Sequence, residues 1–293
     1  MTEQTGLKAR LEMPDLLLTP GVFDAFGAML AEQAGFEALY VSGASIAYTR
    51  LGRPDIGLVG MEEVASVVGH IRERVDLPLV VDADTGFGNA INVQRTVKVF
   101  ERAGATAIQL EDQAMPKRCG HLKGKSLVPT AEMTGKIKAA VDARASEETL
   151  IVARTDAIAV EGFAPALDRA DAYAAAGADV LFVEAPRTAE EIQAVIDRFG
   201  TRIPLLANMV EGGQTPLHDA AQLEALGFSI AIFPGGLARA LAKAGADYFA
   251  SLKQHGTTDA FRDRMLDFTE LNAVLGTDDI LSSGQQYDAE NQE

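Results

Sequence analysis

The sequence is short of cysteine, of basic residues and of long apolar runs, and each shortage removes a class of protein. One cysteine, Cys119, in 293 residues cannot close an internal disulfide, which rules out a disulfide-stapled fold. Lysine and arginine total 26 against 42 acidic residues, a net charge of -16 that argues against general affinity for nucleic acid or an anionic membrane. No stretch approaches the roughly 20 uninterrupted apolar residues that cross a bilayer. Met1 to Thr5 lacks the basic start and apolar core of a secretory signal. The expectation is a soluble, cytoplasmic protein with no nucleic-acid or membrane partner. A small anionic substrate stays open, because local cations decide that.

What is present is a rhythm. Short apolar runs at 16–19, 38–41, 79–81, 107–110, 150–153, 180–183, 204–207 and 230–233 alternate with helical patterns near 24–34, 61–75, 92–103, 130–144, 164–176, 189–199 and 218–226. Strands that are apolar throughout are buried on both faces, which means a parallel sheet under helices. About eight strand-helix units point to an α/β fold closed into one (β/α)8 TIM-barrel domain, with an open doubly wound sheet as the alternative. Residues 1–13 show no convincing period and predict a weakly ordered arm or a short helix across the barrel bottom. After Pro234 a long helical pattern runs to about Gln254. His255-Gly256 breaks it, and a surplus amphipathic helix follows within 255–275. Its stripe of Phe261, Met265, Phe268 and Leu271 needs cover from its own barrel or from another subunit. Residues 276–293 read as a flexible tail.

The alternation pauses at Lys117-Arg118-Cys119-Gly120-His121-Leu122-Lys123-Gly124-Lys125, which gathers cations against the overall trend. Three lysines and an arginine surround the thiol, and glycines let the backbone open and close. Such a stretch reads as a catalytic loop with an available sulfur. A lone cysteine is more often a small buried hydrophobe, but no apolar period carries Cys119 into a core. Cys119 is expected to handle a proton.

Barrel enzymes work where the strands finish, so the residues just after each apolar run matter most. There stand Ser42-Gly43-Ala44, Asp82-Ala83-Asp84, Glu111-Asp112, Arg154-Thr155-Asp156, Glu184 and Asn208. If strand geometry persists, Asp82 and Asp84 point to one side, and two close carboxylates are relieved by sharing a cation. Oxygen-only ligands favour Mg2+ or Mn2+ over zinc, with Glu111 and Asp55 in support. A helix cap or a turn explains either aspartate alone. Arg154 suits a substrate carboxylate, or an internal pair with Glu184 or Asp156. Ser42, Gly43 and Ala44 offer closely spaced N–H groups to an anionic oxygen, or simply make a tight turn. His121 orients a glutamate or a substrate oxygen, or is an ordinary loop residue; the other three histidines show no metal-ligand spacing. Gly235-Gly236 faintly resembles a phosphate cradle.

Taken together, Tyr40-Val41-Ser42-Gly43, Val81-Asp82-Ala83-Asp84-Thr85-Gly86-Phe87-Gly88, Glu111-Asp112-Gln113, the Lys117 to His121 loop, Ala153-Arg154-Thr155-Asp156 and Asn208-Met209-Val210-Glu211-Gly212-Gly213 resemble the isocitrate lyase and phosphoenolpyruvate mutase superfamily, in order across residues 14–275. The resemblance implies a (β/α)8 barrel, Mg2+ near Asp82 and Asp84, a closing loop that carries Cys119, and a last helix exchanged between subunits of a dimer or tetramer. The loop is similar to that of the carbon-carbon lyases, and the length to the short lyases acting on methylisocitrate or on 2,3-dimethylmalate and other alkylmalates. The implied activity is Mg-dependent cleavage of a 2-hydroxy dicarboxylate to a 2-keto acid such as pyruvate and a carboxylic acid. Cys119 would protonate the carbanion, with Lys117, His121, Arg154 and Glu111 in the catalytic set. Tyr40, Ser42, Gly43, Ala44, Gly120, Arg154, Glu184, Asn208, Pro234 and Arg239 would hold the substrate, Arg239 suiting a third carboxylate. Asp82, Asp84, Asp55 and Glu111 would serve the metal. Tyr40, Asp55 or a metal-bound hydroxide remain open as the base. Within the same superfamily stand an oxaloacetate decarboxylase or hydrolase and a phosphonate-forming mutase; outside it, a non-catalytic carboxylate- or phosphate-binding barrel.

Overall fold

Every apolar run becomes a strand. In this computed structural model, which describes residues 6–120, 122–285 and 287, β1 (Leu17–Val22), β2 (Leu39–Val41), β3 (Leu79–Asp82), β4 (Ala107–Glu111), β5 (Leu150–Thr155), β6 (Val180–Val183), β7 (Leu206–Asn208) and β8 (Ile230–Phe233) lie parallel. β1 pairs on one side with β2, Gly21 opposite Tyr40, and on the other with β8, Leu18 opposite Ala231. Leu181 bridges to Leu205 just before β7. The sheet therefore closes into a barrel, and the doubly wound alternative falls.

Between and around the strands run α1 (Leu7–Leu11), α2 (Ala25–Gln33), α3 (Gly43–Ile46), α4 (Met61–Arg72), α5 (Ala90–Ala103), α6 (Thr130–Ala143), α7 (Phe163–Ala175), α8 (Ala189–Phe199) and α9 (Ala220–Leu226). Several starts are set by side-chain caps: Asp24 accepts from the Gly27 N–H at 2.7 Å and Asp219 from Gln222 at 2.9 Å. The period of two sorts the strand residues between two apolar clusters. Ile108, Leu110, Ile151 and Leu181 pack outward against helices, while Tyr40, Val80, Ala107, Val152, Phe182 and Ile230 fill the barrel. Leu7 and Leu11 join that inner cluster, so the expected arm contains a helix that plugs the barrel floor. Arg10 fastens it, its Nε and Nη2 donating to Glu37 at 2.9 and 3.1 Å.

The chain divides into two compact units, Met1–Ala238 and Arg239–Glu293. α10 (Gly236–His255) ends the first and enters the second, which also holds a 3₁₀ turn at Asp259–Arg264, α11 (Phe268–Leu275) and α12 (Thr277–Gln285). The surplus helix expected within 255–275 is thus interrupted. Asp267 is the cause: its carboxylate accepts from the Glu270 N–H and Glu270 accepts from the Asp267 N–H, both at 2.8 Å, a reciprocal cap that starts a new helix. Residues 277–285 are helical where a flexible tail was expected, with Asp278 and Asp279 in the first turn, where carboxylates favour a helix. Among the described residues no helix is long and apolar enough to cross a membrane.

Candidate active site at the barrel mouth

The strand ends converge because parallel strands in register present their last inward residues at one level. Glu111 stands opposite Arg154 across β4 and β5, and its Oε2 lies 3.5 Å from the guanidinium Nε. Glu184 ends β6 next to Asn208 on β7, whose Nδ2 donates to Glu184 Oε2 at 3.1 Å. Asp82 closes β3 opposite Gln109. The sequence-predicted ring of polar strand ends is therefore one cluster, and nearly all of it is buried.

One layer down, Gln109 donates to Asp82 Oδ1 at 3.3 Å and accepts from the Tyr40 hydroxyl at 3.1 Å. Burial first, and then the Asp82 charge, push the Tyr40 phenol well above its ordinary value. Gln109 was missed because it hides inside a run read as apolar. Ser42 takes the turn reading: its Oγ accepts from the Ser45 N–H at 3.2 Å and caps α3, beside Ala44. A Cβ on Gly43 would lie 3.1 Å from Asp82 Oδ2, so the glycine lets that carboxylate approach. The Pro234 carbonyl accepts from Ser45 Oγ at 2.9 Å. Arg239 belongs to the second unit.

Strand geometry does not persist to Asp84, which sits in the left-handed region at φ 47°. Its carboxylate instead ion-pairs with Lys117, which also binds Asp55. Two of the three aspartates expected at a metal, Asp84 and Asp55, thus have an ammonium between them. Burial lifts the Asp84 carboxyl to about 7 and Glu111 well above the carboxylate range, against the pull of Lys117 and Arg154 respectively. Burial opposes the Lys117 charge too, but Asp84, Glu111, Asp55 and Asp82 together raise its pKa well above normal.

The loop expected to carry chemistry fills the long connection from β4 to α6. Its stems pair where Gln113 bridges Leu127, and Gln113 clasps Arg118 by accepting from its N–H at 2.9 Å and donating to its carbonyl at 2.8 Å. Cys119 is partly exposed, and its N–H donates to the Asp55 carbonyl at 3.1 Å. Gly120 rests so closely on Arg154 and Glu184 that a Cβ there would collide with both. His121 lies outside the described residues. Arg154 takes the internal pair with Asp156, donating from Nε at 2.9 Å and from Nη2 at 3.2 Å, and it stacks 5.0 Å from the Phe182 ring. Asp156 is itself fixed by Asp112, which accepts from the Asp156 N–H at 2.9 Å, from Thr155 Oγ1 at 2.7 Å and from the Tyr173 hydroxyl at 2.8 Å. Asp112, Thr155 and Asp156 stand among the polar strand ends read from the sequence; Tyr173 was missed, because on α7 it looks like one more buried position of a helix.

The comparisons follow the geometry. A family model described as phosphoenolpyruvate phosphomutase matches residues 7–253. A crystal structure of 2,3-dimethylmalate lyase, described as a PEP mutase/isocitrate lyase superfamily member, superposes with a TM-score of 0.90 at 37% identity, covering 98% of this chain and 95% of that one. The chain belongs to the PEP mutase/isocitrate lyase superfamily. Within the superfamily it is 43% identical over 289 residues to the 2,3-dimethylmalate lyase of Eubacterium barkeri, covering 98% of this chain and 99% of that protein. It is 47% identical over 279 residues to the 2-methylisocitrate lyase of Aeropyrum pernix, covering 94% and 89%. Both relatives are carbon-carbon lyases.

Superfamily lyases use a divalent metal, and the mouth fits one of a particular kind. Among the described residues no three carboxylate, imidazole or thiol groups form an all-protein cage. What is present is an oxygen-only set at Asp82 and Glu111, the latter with a buried Oε1 that lacks a hydrogen-bond partner. Such a set suits a hard cation that keeps most of its water or takes substrate oxygens, as Mg2+ does. Charge argues the same way. Six carboxyl groups, Asp55, Asp82, Asp84, Glu111, Asp156 and Glu184, meet three cations, Lys117, Arg154 and Lys125, and burial pushes Asp84 and Glu111 towards the neutral form, which a bound cation disfavours.

Proposed function

We propose that the protein is a Mg2+-dependent carbon-carbon lyase that splits a 2-hydroxy dicarboxylate of the 2-alkylmalate or methylisocitrate type into a 2-keto acid, such as pyruvate, and a carboxylic acid. The observation that carries this reading is the seating of the cysteine loop. Cys119 is bonded through its N–H to the Asp55 carbonyl, and Gly120 lies against Arg154 and Glu184, contacts that support a role for the single thiol where the strand-end charges converge.

Asp82 and Glu111 would hold the cation, with Asp84 and Asp55 in support through Lys117. When bound, it lowers the pKa of the substrate hydroxyl and offsets the acidic mouth. The chain's own groups do the rest. The N–H groups of Gly43 and Ala44, in the turn that Ser42 caps, and the side chains of Glu184 and Asn208 bind and orient the two ends of the diacid, with Pro234 against Ser45. As the hydroxyl gives its proton to a base, the role assigned here to the Asp55 carboxylate, the neighbouring carbon-carbon bond breaks, its electrons pass to the carbon alpha to the departing carboxylate, and Arg154 and Lys117 stabilise that charge. The Cys119 thiol gives its proton to the same carbon. A seated loop excludes water until this is done.

The test is keto-acid release in the presence of Mg2+ from methylisocitrate, 2,3-dimethylmalate, oxaloacetate and malate. Release from one of the first two with matching carboxylic acid is expected, and Cys119→Ala should lower it by about 10²–10⁴-fold. A variant as fast as its parent would remove the thiol from the mechanism.

The second unit supports assembly as a dimer or tetramer. α11 and α12 have no buried residue, and Phe249, Phe268 and Leu281 are 68%, 85% and 61% exposed. Short helices that bury nothing lack the packing that stabilises helices in proteins. Light scattering should give a mass of two or four chains.

A further inference from the structure

The loop is tied down at its far end by a residue that the motif at its near end does not contain. Lys125 reaches back under the loop with a side chain only 1% exposed, and its ammonium donates to the Gly120 carbonyl and, at 2.8 Å, to Asp156 Oδ1. Asp156 is wholly buried and is the same carboxylate that Arg154 grips with Nε and Nη2. It has a rigid base, because Asp112 fixes its backbone and Tyr173 and Thr155 fix Asp112. We propose that Lys125 is a positioning residue for the reaction: it latches the loop tip, and with it Cys119, to the carboxylate that also orients Arg154.

The physical case rests on where the two bonds go. Gly120 carries the loop tip, and one donor group fixes its carbonyl to an anchor just past the end of β5. Both members of the ion pair are out of water, where a charge-assisted hydrogen bond is stronger and a lost partner costs more. Seating the loop therefore adds a second cation to Asp156 just where Arg154 already holds it. Unseating the loop takes that cation away and breaks the tie between the loop tip and the carboxylate that orients the guanidinium. Buried Asp156 favours this: desolvation opposes its charge, but Arg154 and Lys125 bring its carboxyl down to about 2, so it stays ionised as the anchor.

The consequence for turnover rests on the lyase reading, but the latch itself is read without turnover. Cys119 is the only thiol in the chain, so alkylation by iodoacetamide reports its exposure alone. The rate is followed against pH, which separates the plateau, set by access, from the midpoint, set by the thiol pKa. Lys125→Met should raise the plateau about tenfold or more, as expected for loss of a hydrogen bond to a charged group. Lys125→Arg, which keeps the charge and donors, should stay within about threefold of the parent on the same grounds. Gly120→Ala keeps Lys125 but collides with Arg154 and Glu184, and gives the plateau of an unseated loop for reference. On the lyase reading Lys125→Met also lowers kcat more than it raises KM. A plateau unchanged in Lys125→Met, a change in midpoint alone, or an arginine variant as fast as the methionine one would overturn the latch. If Lys125→Met does not fold, Lys125→Gln is read in its place by the same criteria. Raised alkylation with no lyase activity in any variant, parent included, would leave the latch and sink the lyase reading.

Discussion

Asp156→Asn removes the one anion to which Arg154 and Lys125 both donate, and the structure sets the size of the effect. Burial alone would push the Asp156 carboxyl up, yet those two cations hold it at about 2 against an ordinary 3.8. At about 1.4 kcal/mol per pH unit, that depression makes the ionised group worth about 2–3 kcal/mol to the folded state. The amide also leaves Lys125 without a counter-charge in a dry site and Arg154 with only Glu111 and Glu184 beside it, and breaking a buried pair costs up to about 3–5 kcal/mol. A loss between about 2 and 5 kcal/mol is expected near neutral pH. The chain has no tryptophan, so urea unfolding is followed by far-UV circular dichroism, with midpoints compared only if the slopes agree. Because the folded pKa is depressed, the stabilisation is fully present above 3.8 and disappears as the pH falls through about 2. Parent and variant should therefore converge in acid. A loss below about 1 kcal/mol, or a difference that persists unchanged in acid, would refute the claim that charge pairing at Asp156 organises this side of the mouth.

The opposite sign applies at Asp84, whose carboxyl is raised by burial to about 7. Without divalent ions the folded state binds the extra proton between 3.8 and about 7, so stability should rise as the pH drops from about 8 to about 6, and added Mg2+ should raise the melting temperature more at the higher pH. A pH-flat melting temperature with no Mg2+ effect would remove the acidic set as a cation site. Tyr173→Phe deletes one donor to Asp112 at 2.8 Å and should cost about 1.5–3 kcal/mol in urea unfolding, since the acceptor is a buried carboxylate. Gly21→Ala drives a Cβ into the backbone of Pro234, where no side chain can yield, and should cost about 1–3 kcal/mol in the same assay.

Much of this was legible along the chain. Apolar runs a few residues long, each followed by a helical period, leave only a parallel sheet under helices, and strand ends that turn polar mark the working face. The sequence therefore determined the eight strands, the helices between them, the level of Asp82, Glu111, Arg154 and Glu184, and the cationic loop around Cys119. It did so because burial on both faces of a strand and the period of a helix are local properties, written in neighbouring residues. Tertiary structure alone decided the partners. Lys117 between Asp55 and Asp84, Gln109 between Tyr40 and Asp82, the left-handed turn at Asp84, and Lys125 with Arg154 on one Asp156 all join residues from separate elements. Which carboxylate meets which cation depends on barrel closure and strand register, and electrostatic pairing in a buried mouth is settled by distances that no run of adjacent residues encodes.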